Sequence, residues 1–287
     1  MAGSEAVFVG ETVRAVVLPN RGARLHRLQV LGHDLIRTPP DLAAYDREPF
    51  FWGSFVMAPW CNRIGTDPVT VGGRPIQLGS NFADGTAIHG EVLDRQWEIL
   101  PDGAFRVEAG GDGWPWRYES TLQIAVAEHH LRVDIGLRNL SDDPMPAGLG
   151  IHPWFRRPVR VAIRAAAVFS PNADTPPDPR PVEGSLDLRR LQTMRPGLDA
   201  TWTDLASPPV ELAWPQLGIG ATMRVTAPSL FIVAASPPGV DAIAVEPQTH
   251  APQGLRRLLQ GETGALALLP PGEAMSLKTE LEFRTIG

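Results

Sequence analysis

The stretch Leu131-Arg132-Val133-Asp134-Ile135-Gly136-Leu137-Arg138 alternates apolar and polar positions without a break. In a strand, successive side chains point to opposite faces, so Leu131, Val133, Ile135 and Leu137 share one side. A helix would scatter them around its axis. The pattern predicts an antiparallel strand with one buried and one wet face. It recurs in Val159, Val161 and Ile163 against Arg160, Ala162 and Arg164, and in Leu277, Thr279, Leu281 and Phe283 against Lys278, Glu280, Glu282 and Arg284. Between such runs, 28 glycines and 29 prolines punctuate a chain of 287 residues. Many short strands between frequent turn signals predict an all-β sandwich or barrel. Helical periodicity is scarce, with one short turn or helix fitting 254–260. The proline-rich segment from Ser170 to Gly184 predicts a long irregular loop, and loops of that length are often functional. Strand-like sequence resumes on both sides of it, so a single domain over 1–287 is expected.

Composition narrows the function classes. The net charge is −6 and the pI about 5.7, which argues against nucleic acid as a partner, since that calls for a basic patch. A mean hydropathy of −0.08 fits a soluble globular chain. No run of about 18 apolar residues suggests a membrane span. The opening Met-Ala-Gly-Ser-Glu lacks the basic and apolar regions of a secretory signal. The single cysteine, Cys61, rules out an intrachain disulfide. A cytoplasmic location is expected.

Four stretches carry candidate chemistry. In Ala58-Pro59-Trp60-Cys61-Asn62-Arg63-Ile64-Gly65, Arg63 offers five fixed donors in apolar company. It suits gripping substrate oxygens or, structurally, capping carbonyls. In Thr86-Ala87-Ile88-His89-Gly90, the histidine is a ligand-binding group or a turn residue. In Gly148-Leu149-Gly150-Ile151-His152-Pro153-Trp154-Phe155, the proline pushes His152 into extended backbone and fixes its imidazole. Trp154 and Phe155 can offer an apolar face to a sugar ring or fill the core. In the run from Asp241 to His250, Glu246 closes an apolar stretch before Pro247. Desolvation there would raise its pKa toward that of a general base. Paired cysteines and His-Glu-x-x-His are missing, so zinc lacks its usual spacing. Phosphate-loop, dinucleotide and serine-elbow patterns are missing too. His129 and His130 read as turn residues.

Taken together and in this order, the stretches resemble the aldose 1-epimerase (mutarotase) family. The likeness begins at Val16-Val17-Leu18-Pro19-Asn20-Arg21-Gly22-Ala23-Arg24-Leu25, similar to the family's opening hairpin. It runs through Asn62-Arg63-Ile64, His89-Gly90, His152-Pro153-Trp154-Phe155 and Glu246-Pro247-Gln248. It implies a large antiparallel β-sandwich, the supersandwich, with a sugar site on one concave face. By resemblance, Glu246 is the catalytic base, His152 the acid, and His89 and Arg63 bind sugar oxygens beside Asn62. A family aspartate that holds sugar hydroxyls falls at Asp199. Trp60 and Trp154 are candidate stacking surfaces. Cys61, Ile151 and Trp154 replace a proline, an asparagine and a tyrosine of galactose mutarotases. This places the chain nearer the broad group of bacterial mutarotase-like proteins.

The implied reaction opens and recloses a hemiacetal ring with one acid and one base. It needs no metal or redox cofactor, and its partner is a monosaccharide. Three alternatives stand. A glycosidase could use Glu246 and Asp199. A non-catalytic module could bind sugar. A hexose 6-phosphate mutarotase could use Arg156 and Arg157.

Overall fold

The computed structural model describes residues 5–169 and 178–287. The first part of the Ser170–Gly184 segment lies outside the described residues. Of the rest, Arg180–Pro181 is a short strand paired to Ala167 and Val168, so regular structure reaches further into the segment than its prolines suggest.

The described residues form a large, curled antiparallel sheet of 17 strands. The alternating stretch from Leu131 to Arg138 lies in the strand His130–Asn139, where Leu131, Val133, Ile135 and Leu137 are all buried. Its partner is Ala274–Thr285, with Leu131 opposite Leu281 and Ile135 opposite Leu277. These apolar cross-strand pairs set the register, because a slip by one residue would turn every leucine to water. The run of Val159, Val161 and Ile163 lies largely in Arg160–Phe169, where Val161 and Ile163 are buried but so is Ala162. The second face of that strand is covered only in part, since Arg160 and Ala166 on it stay exposed. Gly254–Gln260 is a short α-helix. No helix among the described residues is long and apolar enough to cross a membrane.

Six strands carry the site. In chain order they are β1 (Arg24–Val30), β2 (Ser54–Met57), β3 (Gly150–Arg156), β4 (Leu198–Trp214), β5 (Phe231–Ser236) and β6 (Ala242–Gln248). Their spatial order is β1-β2-β3-β6-β5-β4, all antiparallel. β4 is long enough to serve two parts of the sheet. Its first residues pair with β5 and its last, Val210 to Trp214, with Ile219–Thr226. A register shift opposite it, between Ile163 and Ala165, adds local bend and twist. The sheet curls, and the six strands lie side by side within it.

Candidate active site

Strand register assembles the site. Phe55 of β2 faces His152 of β3. Gly150 faces Gln248 and Trp154 faces Ala244, so His152 and Glu246 lie between these pairs, opposite each other. The His152 Nε2 and Glu246 Oε1 atoms are 3.2 Å apart, with both side chains buried. Two rows along the same face, Asp199 of β4 lies beside Ala235 of β5, and Ala235 beside Ala244. Residues two apart in a strand share a face. The row Trp154, Ala244, Ala235, Asp199 is thus a low alanine floor between an indole and a carboxylate.

His89 and Arg63 arrive on a separate ribbon in which Arg63–Ile64 pairs with Ala87–Ile88. Two reciprocal bonds lock its ends. The His89 backbone N–H donates to the Asn62 carbonyl at 3.1 Å, and the Asn62 N–H donates to His89 Nδ1 at 3.3 Å. Both residues adopt positive φ, 57° and 61°. Asn62 accepts this strain readily, and its side-chain amide donates to Gln248 Oε1 at 3.1 Å. Gly90 is required, because a Cβ there would lie 1.9 Å from the Ala58 carbonyl oxygen.

An Nδ1 that accepts a backbone N–H leaves the neutral His89 proton on Nε2. Burial pushes the His89 pKa well down, helped by the charges of His152 and Arg63. His89 is therefore a neutral Nε2–H donor. Its ring meets that of His152 edge-on at 5.1 Å. His89, His152 and Glu246 lie close enough together to suggest a metal triad. A histidine ligand, however, needs a lone pair on the coordinating nitrogen and a partner that accepts from the other. His89 has the opposite arrangement, so the cluster suits hydrogen bonding better than coordination.

Electrostatics couple the central pair. Burial pushes Glu246 well above the ordinary carboxylate range, with nearby Asp199 adding to it and Arg63 opposing it. Burial pulls His152 down to about 3. Both shifts favour uncharged forms, so the pair holds one shared proton over a wide pH range. Glu246 Oε2 and His152 Nδ1 are buried without partners. Partial desolvation at the alanine floor raises the Asp199 carboxyl, against the pull of Arg63, while the residue keeps an edge open to solvent. Arg63 is half-exposed. Its Nε donates to Asp84 Oδ2 at 2.6 Å, and its guanidinium lies 5.2 Å from the Phe82 ring centroid.

Other expectations from the sequence are corrected. Trp60 is buried and packs on Trp114 at 5.0 Å within the main core, so it offers no face to a sugar beside His152. Phe155 is likewise core, against Trp214 at 5.9 Å, because it points to the opposite side of β3 from His152. Trp154 does flank His152, at 4.9 Å, but is buried too, with Nε1 donating to the Phe50 carbonyl at 2.7 Å. It is a wall rather than an open platform. His129 and His130 cap the hairpin before His130–Asn139, their rings 4.4 Å apart.

Sequence reading missed Gln248, Phe55 and His250 as supports. The His250 Nε2 accepts the Cys61 N–H at 2.9 Å, and its Nδ1 donates to the Ala251 carbonyl at 2.8 Å. It clips the Asn62-Arg63 turn to the end of β6. A signal was present in Gly148 and Gly254, whose missing Cβ atoms make room for its ring.

Residues 9–282 match the sequence pattern of the aldose 1-epimerase family. The chain belongs to that family, and both membership and fold are those of a mutarotase-like, isomerase-type protein. The uncharacterized protein YphB of Escherichia coli is 25% identical over 250 residues, covering 79% of this chain and 83% of that protein. A galactose mutarotase-like protein from Clostridium acetobutylicum superposes with a TM-score of 0.84 at 17% identity, covering 98% of this chain and 95% of the other. A galactose 1-epimerase from Lactobacillus acidophilus gives 0.76 at 16% identity, covering 99% and 95%.

Proposed function

We propose that the protein is an aldose 1-epimerase that interconverts the α and β anomers of a free, unphosphorylated aldose. The observation that carries this reading is the buried His152–Glu246 pair, 3.2 Å apart, sharing one proton. Mutarotation removes a proton from the anomeric hydroxyl and delivers one to the ring oxygen, with no net proton gained or lost. A pair holding one proton is matched to that exchange.

Before sugar binds, burial keeps the shared proton on the carboxyl side. A bound sugar brings hydroxyls to the orphan Oε2 of Glu246, and His89 offers its Nε2–H to a sugar oxygen. Hydrogen bonds to a carboxylate favour its charged form. The proton then moves to His152, leaving Glu246 as base and His152 as acid. Glu246 takes the anomeric proton, His152 protonates the ring oxygen, and the C1–ring oxygen bond breaks. The carbonyl rotates and closure on its other face reverses both transfers. Arg63 and Asp199 orient the hydroxyls, and preorganised donors stabilise charge as it develops on oxygen.

The charges around Arg63 favour a neutral sugar over a hexose 6-phosphate. Arg63 is already paired with Asp84, and Asp199 and Glu246 lie within its field. Arg157 donates to Ser236 Oγ at 2.6 Å. Polarimetry of freshly dissolved α-anomers tests the reading. Equilibration should accelerate in proportion to enzyme, faster for free aldoses than for 6-phosphates. A rate equal to buffer with every aldose would leave only sugar binding, and release of reducing sugar from aryl glycosides would mean a glycosidase.

A further inference from the structure

Arg24 lies in the opening hairpin and takes no part in the chemistry above. It is 1% exposed. No described carboxylate forms an ion pair with it, although Arg21 close by is paired with Asp46. Its guanidinium is held by carbonyls instead. NH1 donates to Pro49 at 2.7 Å and Trp52 at 2.8 Å, and NH2 to Leu93 at 3.2 Å. Its carbon lies 4.8 Å from the ring centroids of both Tyr45 and Phe55. Burying a cation without a counter-charge is costly. A carbonyl cage alone could be filled by a neutral donor at lower cost.

The register shows where the charge points. Leu25 pairs with Ser54, which sets Arg24 beside Phe55 one position on. Phe55 pairs with His152, and their rings stack at 4.6 Å with 23° between planes. Glu246 follows on the next strand. Arg24, Phe55, His152 and Glu246 form one row across β1, β2, β3 and β6. We propose that Arg24 is a positioning residue for the reaction, a buried cation that acts through Phe55 to hold the His152 ring and drive its proton toward substrate. The role in catalysis rests on the acid–base reading of the His152–Glu246 pair.

The physical case has two parts. A cation disfavours the imidazolium, and Arg24 contributes to the depressed His152 pKa in this sense, after burial itself. A more reluctant imidazolium is a stronger acid toward a weakly basic ring oxygen. The other titratable groups packed on His152 are Glu246 from β6 and His89 from the 87–90 segment. Cys61 and His250 support the adjoining turn, and Arg63 and Asp199 act on Glu246. Among these, Arg24 alone approaches from the side away from Glu246 and shares no proton with the pair. Second, Phe55 between the guanidinium and the imidazole passes orientation along. Its ring is fixed by the guanidinium on one side and fixes the imidazole on the other.

The test uses ¹⁵N-labelled histidine and the full chain, titrated from pH 7 down to the acid edge of the folded state, with the His152 signals assigned by a His152→Gln variant. Arg24→Met removes the charge and keeps the length. At each pH of the titration the ratio of imidazolium to neutral His152 should rise about twentyfold, as expected for one charge roughly 9 Å away at an effective dielectric of about 20. In polarimetry, kcat should fall several-fold with KM within about twofold. Arg24→Lys restores the charge and should return both readouts most of the way. An unmoved nitrogen spectrum or unmoved kcat in folded Arg24→Met overturns the proposal, as does failure of lysine to restore either. If Arg24→Met does not fold, Phe55→Leu decides, because it leaves Arg24 on its carbonyls and removes only the intervening ring. It should lower kcat with KM held, and wild-type kcat there overturns the proposal. The nitrogen spectrum is read without sugar, so a failed charge effect is distinguishable from a failed mutarotase reading.

Discussion

Glu246 concentrates the chemistry in one side chain. It is buried, its Oε2 has no partner, and its pKa is raised chiefly by burial. Glu246→Gln keeps shape and an accepting carbonyl but removes the basic oxygen. General acid–base groups contribute typically about 10²- to 10⁴-fold, so kcat should fall by that range while sugar binding by calorimetry stays within about tenfold. The stability effect has the opposite sign to an ordinary buried-group loss. A raised folded pKa means that the unfolded chain releases its proton first as pH rises. The carboxyl therefore costs stability above about pH 4.5. At pH 7 to 8, Glu246→Gln should melt no lower than the parent. A variant that melts lower and keeps its kcat would make Glu246 an anchor for the turn before Pro247.

At the scale of elements, the ribbon carrying Arg63 and His89 is set by backbone fit rather than by side-chain packing. Gly90 has φ of 77° and no room for a Cβ. Gly85, in the same segment, has φ of 85° but open space around it. Gly85→Ala should cost about 1 kcal/mol through backbone conformation alone. Gly90→Ala must also push the Ala58 carbonyl aside, displacing His89, and a shift of about 1 Å can cost on the order of 10²-fold in rate. Equal kcat/KM in the two variants would detach ribbon geometry from catalysis. This contrast also marks what was legible in the sequence. The alternating runs announced strands, and Pro153 announced the extended His152. The sequence also paired Glu246 with desolvation, as the structure bears out. Trp60 misled because aromatic composition does not tell a core face from an open one. Phe155 misled because the side of a strand is fixed by parity with His152. Arg24, Gln248 and His250 were hidden because their partners come from segments distant in the chain, joined only when the sheet closes.

At the scale of the whole molecule, closure of the curled sheet buries three histidines from different parts of the chain. His89 comes from the ribbon, His152 from β3 and His250 from beyond β6. Burial pulls all three down, His152 to about 3 and His250 to about 4. In the unfolded chain each returns to roughly 6.5. Below that value the unfolded state binds more protons than the native one, so stability rises with pH there and falls on acidification. The loss begins near pH 6.5 and continues until the folded pKa values are passed. Each histidine contributes about 1.4 kcal/mol per pH unit in that window. Three together approach about 8 kcal/mol by pH 4.5, comparable to the 5–15 kcal/mol of a typical domain. Glu246 offsets about one of the three, because its raised carboxyl keeps a proton in the folded chain while the unfolded one is ionised above about pH 4.5, so about 5 kcal/mol of the loss remains. The melting temperature should therefore fall between pH 6.5 and 4.5, with a linkage slope approaching two protons in urea titrations. His250→Asn should reduce that slope by about one proton while lowering stability at pH 8, where its two hydrogen bonds are intact in the parent. A melting temperature unchanged from pH 7 to pH 5 would mean that the three imidazoles are not held neutral by the closed sheet, and the single-proton description of the His152–Glu246 pair would fall with it.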